Sequence, residues 1–198
     1  MKKQKSNSSI DNKAWLKFWY SPHNYIDSSW LEEENFSPLK KYRSSMVWQS
    51  CYSHVCHTLG LEPNLSGEIK PEWKNILCKI SENPDKAISL ASIAYSKDIT
   101  KPAPESNISL DEYRYISQIG QGLALKQRFP IPDDLQYKNQ KGLWLLQVAL
   151  SSDCPEVWPR MKLAFKSSVL SNLPKLAAYS HVDLKNLKRL WNIIVCKL

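Results

Sequence analysis

Behind Ser109-Leu110-Asp111-Glu112, the residues Tyr113, Ile116, Gly120, Leu123 and Gln127 fall at steps of three and four, with Ile119 and Leu110 close to the same face. That period predicts a helix from Ser109 to Arg128, ended by Pro130 and Pro132, and the stretch reads as the centre of the chain. Its start is a Ser-x-x-Glu capping box, in which the serine oxygen accepts from one orphan backbone N–H and the glutamate reaches back to another. Two of only five glycines, Gly120 and Gly122, sit inside it. A glycine within a helix costs about 1 kcal/mol against alanine. The pair therefore implies either close approach of another helix on that side or a kink near Gly122.

The same period predicts helices on both sides. Trp15, Leu16, Phe18 and Trp19 form a short apolar stripe stopped by Ser21-Pro22, and Ser28 or Ser29 caps a turn holding Trp30 and Leu31. Ser37-Pro38 is a helix start, and Trp48, Cys51, Tyr52, Val55 and Leu59 make one stripe ended by Gly60. Lys70-Pro71 and Asn83-Pro84 open two more helices. Leu143 to Leu150 is densely apolar around Trp144 and favours helix, and Pro155 opens a helix through Trp158. Ser167 to Pro174 fits a short strand or an irregular segment. From Ser180 a capped helix carries Leu184, Leu187, Leu190, Trp191 and Ile194 on one face and Lys185, Lys188 and Arg189 on the other. The chain has no Asn-Gly or Asp-Gly dipeptide and no sustained alternation, so hairpin signals are missing. The expected fold is all-α, a compact helical domain over residues 11–198 preceded by a disordered polar tail, 1–10. The loop Ile131 to Tyr137 connects helices, and the Pro- and Ser-bearing stretch near 100–108 marks a candidate subdomain boundary.

Composition agrees with a globular chain: 42% hydrophobic and 23% charged residues over 198 positions. No apolar run approaches the roughly 20 residues needed to span a bilayer. The polar, lysine-bearing start lacks the apolar region of a signal peptide, so the expected compartment is the cytosol. Five widely spread cysteines, an odd number, fit free thiols better than disulfides. Eight tryptophans and nine tyrosines supply burial energy, and such residues are also enriched at interfaces. Three of the tryptophans lie in the first 30 residues. That segment is either a docking edge or a strap packed across the body.

Lysine and arginine exceed aspartate and glutamate by 27 − 19 = 8. A charge of +8 permits an acidic partner, a nucleic acid or an anionic membrane face, but the basic residues are scattered. The face formed by Lys185, Lys188 and Arg189 suits phosphates, which keeps a basic helical nucleic-acid-binding protein as the alternative reading. Against it, that helix starts with Ser-His-Val-Asp, and an aspartate repels phosphate. Cys51, His54, Cys56 and His57 are the one metal-like group, yet helical spacing spreads the two histidines away from the Val55 face. No phosphate loop, nucleophile elbow or His-Glu-x-x-His motif is present, and the acidic runs Glu32-Glu33-Glu34 and Asp133-Asp134 read as solvated surface. His23 and His181 are isolated. The sequence nominates no catalytic residue, no cofactor site and no metal site.

Phe18-Trp19-Tyr20-Ser21-Pro22-His23-Asn24-Tyr25-Ile26-Asp27 resembles the N-terminal signature of the SctK family of type III secretion proteins: an aromatic, then Ser/Cys-Pro, then Tyr followed by an aliphatic and His/Asp. The helix Ile116 to Leu123 and the run Val157-Trp158-Pro159-Arg160-Met161-Lys162-Leu163 resemble two later features of that family. The resemblance implies a helical, non-enzymatic adaptor in the bacterial cytoplasm, at the cytoplasmic face of the inner membrane, with no cofactor. Its implied partners are the pod protein SctQ and the cytoplasmic domain of the ring protein SctD. Two candidate contact surfaces follow from the residues themselves. One is the aromatic segment Trp15, Phe18, Trp19, Tyr25 and Trp30. The other is the basic face Lys185, Lys188 and Arg189, suited to salt-sensitive capture of an acidic partner.

Overall fold

The structure, a computed structural model, describes residues 12–34, 36, 39–40, 45–65, 69–96, 108–131, 139–171, 173–174, 176 and 178–198. The expected tail 1–10, the Ser37-Pro38 helix start, most of the 131–137 loop and most of the 100–108 boundary lie outside them. The fold is all-α, with no strand among the described residues. The chain runs through α1 (Asn12–Tyr20), a 3-10 turn (Pro22–Asn24), α2 (Ser28–Glu32), α3 (Ser45–Ser50), α4 (Tyr52–Thr58), α5 (Pro71–Glu82), α6 (Pro84–Tyr95), α7 (Leu110–Gly122) and α8 (Leu125–Arg128). It continues through α9 (Gln140–Asp153), two 3-10 turns flanking α10 (Trp158–Met161), α11 (Ser167–Leu170) and α12 (His181–Val195).

The centre of the molecule is α6, which corrects the expectation that the Ser109 stretch holds that place. Asn83-Pro84 starts α6 as expected, and from Ala87 to Tyr95 only Ser89 escapes burial. Apolar residues all round a helix mean a buried helix, whereas a stripe means a surface one. Its widest contacts are with α9 on one side and α7 on the other, and α12 crosses it as well. α7 keeps the predicted stripe, with Tyr113, Ile116, Ser117 and Gly120 buried, while Leu110 points outward and is 47% exposed.

Two glycines set how close these helices come. A Cβ on Gly120 would stand 1.7 Å from the Ala94 carbonyl oxygen, and one on Gly142 would stand 2.1 Å from that of Ile88. Both are backbone atoms of α6, so nothing flexible can give way. Gly142 also donates its N–H to the Ser92 hydroxyl at 2.9 Å, which satisfies a buried serine inside the packed face. Gly122 has open space around it. The helix does break there: Leu123 closes α7, Ala124 adopts a left-handed φ of 52°, and α8 follows as a separate turn. Close approach thus accounts for Gly120, and the end of the helix for Gly122.

The apolar side chains form two clusters. The larger joins α1 and α5 to α10 with α12; the smaller holds Leu31, Leu39, Trp48, Val55, Cys56, Leu59, Leu61 and Leu163. The stripe expected from Trp48 to Leu59 is interrupted at Cys51, which leaves the helical region between α3 and α4, and Gly60 ends it with a left-handed φ of 64°. Ser167 to Leu170 is a helical turn rather than a strand. None of the five cysteines forms a disulfide, and Cys56 and Cys154 are buried. No helix among the described residues is long and apolar enough to cross a membrane.

Three substitutions separate these backbone effects. Gly120→Ala is expected to lower stability by about 1–3 kcal/mol through overpacking. Gly122→Ala is expected to be neutral or slightly stabilising, by at most about 1 kcal/mol. Ala124→Gly relieves a left-handed alanine and is expected to gain about 0.5–1 kcal/mol. Urea denaturation midpoints check all three. The Ser109–Glu112 box gives a pH signature. The Ser109 backbone N–H, opposed by partial burial, and then Lys86 at 3.2 Å hold the Glu112 carboxyl below its ordinary value of 4.5. A lowered folded value means that this contribution is complete above the unfolded value and is lost as pH falls through the folded one. The denaturation midpoint of the parent should therefore drop below about pH 4, and less steeply in Glu112→Gln.

Candidate functional site

The aromatic segment lies across the body as a strap. At about 100° per residue, Trp15, Phe18 and Trp19 share the inner side of α1, and all three are buried, Trp19 completely. Trp15 stacks on Phe18 with ring centres 5.4 Å apart, and Phe18 stacks on Tyr25 at 5.0 Å. Leu16, counted in the same stripe from the sequence, falls on the outer side and is 49% exposed. As a docking edge the three inward residues offer no side-chain surface. Of the two readings left open by the sequence, the strap is the geometry found here.

Under the strap sits Arg160, which is 1% exposed and has no carboxylate paired with it among the described residues. Its guanidinium plane stacks on the Trp19 ring at 4.2 Å. One nitrogen donates to the Trp19 carbonyl at 2.7 Å, and the other donates to the Tyr52 hydroxyl at 2.9 Å and to the Glu62 carbonyl. The Cys56 sulfur lies 3.9 Å away. Tyr52 in turn donates toward the carbonyls of Trp19 and Pro63, each at 3.2 Å. A buried cation without a counter-charge persists only when carbonyl dipoles replace its water, and the flat fork of arginine can address several at once. Burial pushes the hydroxyl pKa of both Tyr25 and Tyr52 upward, against the pull of the nearby guanidinium. The phenols therefore stay neutral. A backbone bond from Asp27 N–H to the Leu163 carbonyl, 2.8 Å, fixes the strap one turn further on.

The remaining sequence candidates fall into separate places. Trp30 is half-buried, donates its indole N–H to the Phe165 carbonyl at 2.8 Å and has the Lys162 ammonium 5.7 Å over its ring. With Trp158, Gln147, Leu170 and Leu173 it lines an open groove of about 410 Å³. On α12, Lys185 and Arg189 are exposed, but Lys188 is ion-paired with Glu72 of α5 and lies 6.0 Å over the Trp73 ring. The basic face is thus two residues wide with a third tied down. The Ser180 hydroxyl, then Arg128 at 2.7 Å, hold the Asp183 carboxyl below its ordinary value at the start of that helix.

Cys51, His54, Cys56 and His57 do not converge. Cys56 turns inward to Arg160, and both histidines are exposed. His23 packs against the Trp48 ring at 5.5 Å, and its pKa is lowered by burial and by Lys17. Burial pushes the Cys154 thiol up to about 12, so it is no nucleophile near neutral pH. Arg160 and Tyr52 carry the junction and were not singled out by sequence reasoning. The available signal was an arginine set among Trp158, Met161 and Leu163, a charge in an apolar run.

No family model, curated protein or solved structure matches this chain.

Arg160→Lys is expected to destabilise the protein by about 2–4 kcal/mol, because a single ammonium cannot serve the Trp19 carbonyl, the Glu62 carbonyl and the Tyr52 hydroxyl at once. Arg189→Met, on the exposed face of α12, should stay within about 0.5 kcal/mol. Urea unfolding followed by tryptophan fluorescence measures both. Equal effects of the two substitutions would remove the junction from this account.

Proposed function

We propose that this protein is a non-catalytic cytoplasmic adaptor of the type III secretion sorting platform, joining an SctQ-like pod protein to the cytoplasmic domain of an SctD-like inner-membrane ring protein. The observation that carries this reading is a convergence. Two of the three runs on which the family resemblance rests, Phe18–Asp27 and Val157–Leu163, are separated by about 130 residues in sequence, yet they meet at the Trp19–Arg160 stack and the Asp27–Leu163 backbone bond. Motif residues that hold each other in place are what a family-wide structural signature requires. The helical build, the aromatic packing and the excess of positive charge support the same reading.

The adaptor reading expects SctQ-like and SctD-like proteins to co-purify with the chain from its native bacterium, and deletion to stop secretion through the injectisome. A deletion strain that secretes normally overturns it. Material that elutes with nucleic acid and releases it in salt would favour the alternative, a nucleic-acid-binding protein. For the basic face, Lys185→Glu with Arg189→Glu is expected to weaken partner capture several-fold at low salt while leaving the helical signal in circular dichroism intact. Lys188 is left out of that test because its reversal also sets two carboxylates against each other at Glu72.

A further inference from the structure

Turning Trp15, Phe18 and Trp19 into the core leaves the other side of α1 uncovered. Lys13, Leu16, Lys17 and Tyr20 fall within roughly 100° of one another around the helix axis, opposite the buried aromatics. Leu16 is 49% exposed and Tyr20 40%. The Tyr20 ring stands 5.5 Å from that of Tyr52 on α4. α1 carries no carboxylate, and Lys74 of α5 lies beside it, 5.7 Å over the Trp15 ring.

We propose that the outer face of α1, with Leu16 and Tyr20 flanked by Lys13 and Lys17, docks an acidic amphipathic helix of a protein partner. Charge chooses this occupant. A second copy of the chain would bring lysines against lysines. A nucleic acid would use the lysines and leave Leu16 and Tyr20 wet. A bilayer needs a broad apolar face, and the three largest apolar residues of α1 are sealed inside. An acidic helix with a leucine stripe satisfies both the apolar centre and the cationic flanks, the arrangement of an anchored core with a charged rim. The inference holds whether or not the partner belongs to a secretion apparatus, since it concerns the chemistry of one surface.

The test uses the full chain and a fluorescein-labelled helical peptide of about four turns, with leucines at i, i+3, i+4 and i+7 and glutamates elsewhere. Anisotropy is expected to rise saturably and to weaken as salt is raised from about 50 to about 300 mM. Leu16→Ser and Tyr20→Ser should each raise Kd about tenfold or more, and Lys17→Glu should do the same. Val182→Ser, at an exposed apolar position on α12, should change nothing. Circular dichroism confirms that each variant keeps its helices. The proposal is overturned by the absence of saturable binding up to roughly millimolar peptide. Equal binding of a scrambled peptide of the same composition overturns it, as does indifference to the Leu16 and Tyr20 substitutions. Binding of the chain to phosphatidylglycerol vesicles but not to the peptide overturns it in favour of a membrane surface.

Discussion

A guanidinium buried with no carboxylate paired to it among the described residues ties the N-terminal part of this protein to its body. Arg160 reaches from α10 to the carbonyl that ends α1, to the hydroxyl of Tyr52 on α4 and to the carbonyl of Glu62 beyond it. Each acceptor belongs to a different segment, and the Trp19 carbonyl also accepts from the Tyr52 hydroxyl. Desolvating a charge is costly, so the arrangement is stable only when all of these acceptors are present together. That makes the junction cooperative. The strap, the small apolar cluster around Trp48 and the turn after α9 hold their places jointly or lose them jointly.

The body obeys a different constraint, steric rather than electrostatic. Gly120 and Gly142 let α7 and α9 approach the backbone of α6 from two sides, at Ala94 and Ile88. The small residues Ala87, Ala91 and Ala94 make α6 slim enough to be surrounded. Large apolar side chains are buried around it, among them Trp73, Trp144 and Trp191.

These two constraints leave the outside of the molecule to function. The residues that look most like contact anchors in a linear reading, Trp15, Phe18 and Trp19, are spent on the core, and the surface beside them is made by their neighbours Leu16 and Tyr20. On α12 the same sorting occurs, where Glu72 and the Trp73 ring take Lys188 and leave Lys185 and Arg189 outward. What the molecule exposes is a by-product of how its helices are packed.

Helix positions were legible because their causes are local. The Ser109 box, the Pro71 and Pro84 starts, the stop at Gly60 and the stripe of α12 each depend on residues within a few positions of one another. The all-α class and the inward face of α12 followed from the same short-range rules. Centrality was not legible: α6 and α7 both look helical, and only packing on every side distinguishes the first. The break at Ala124 was foreseen only as one of two uses for a pair of glycines, since whether a glycine meets a neighbour depends on a residue elsewhere in the chain. The junction made by Arg160, which the sequence showed only as one member of the Val157–Leu163 run, was not legible for that reason too. Its partners come from positions 19, 52 and 62, and no rule of spacing connects them. The sequence by itself determined which segments would be helices and which of their sides were apolar; the tertiary structure alone decided which apolar sides found a partner, because that is settled by contacts between different segments, from Gly120 against Ala94 to Arg160 against Trp19.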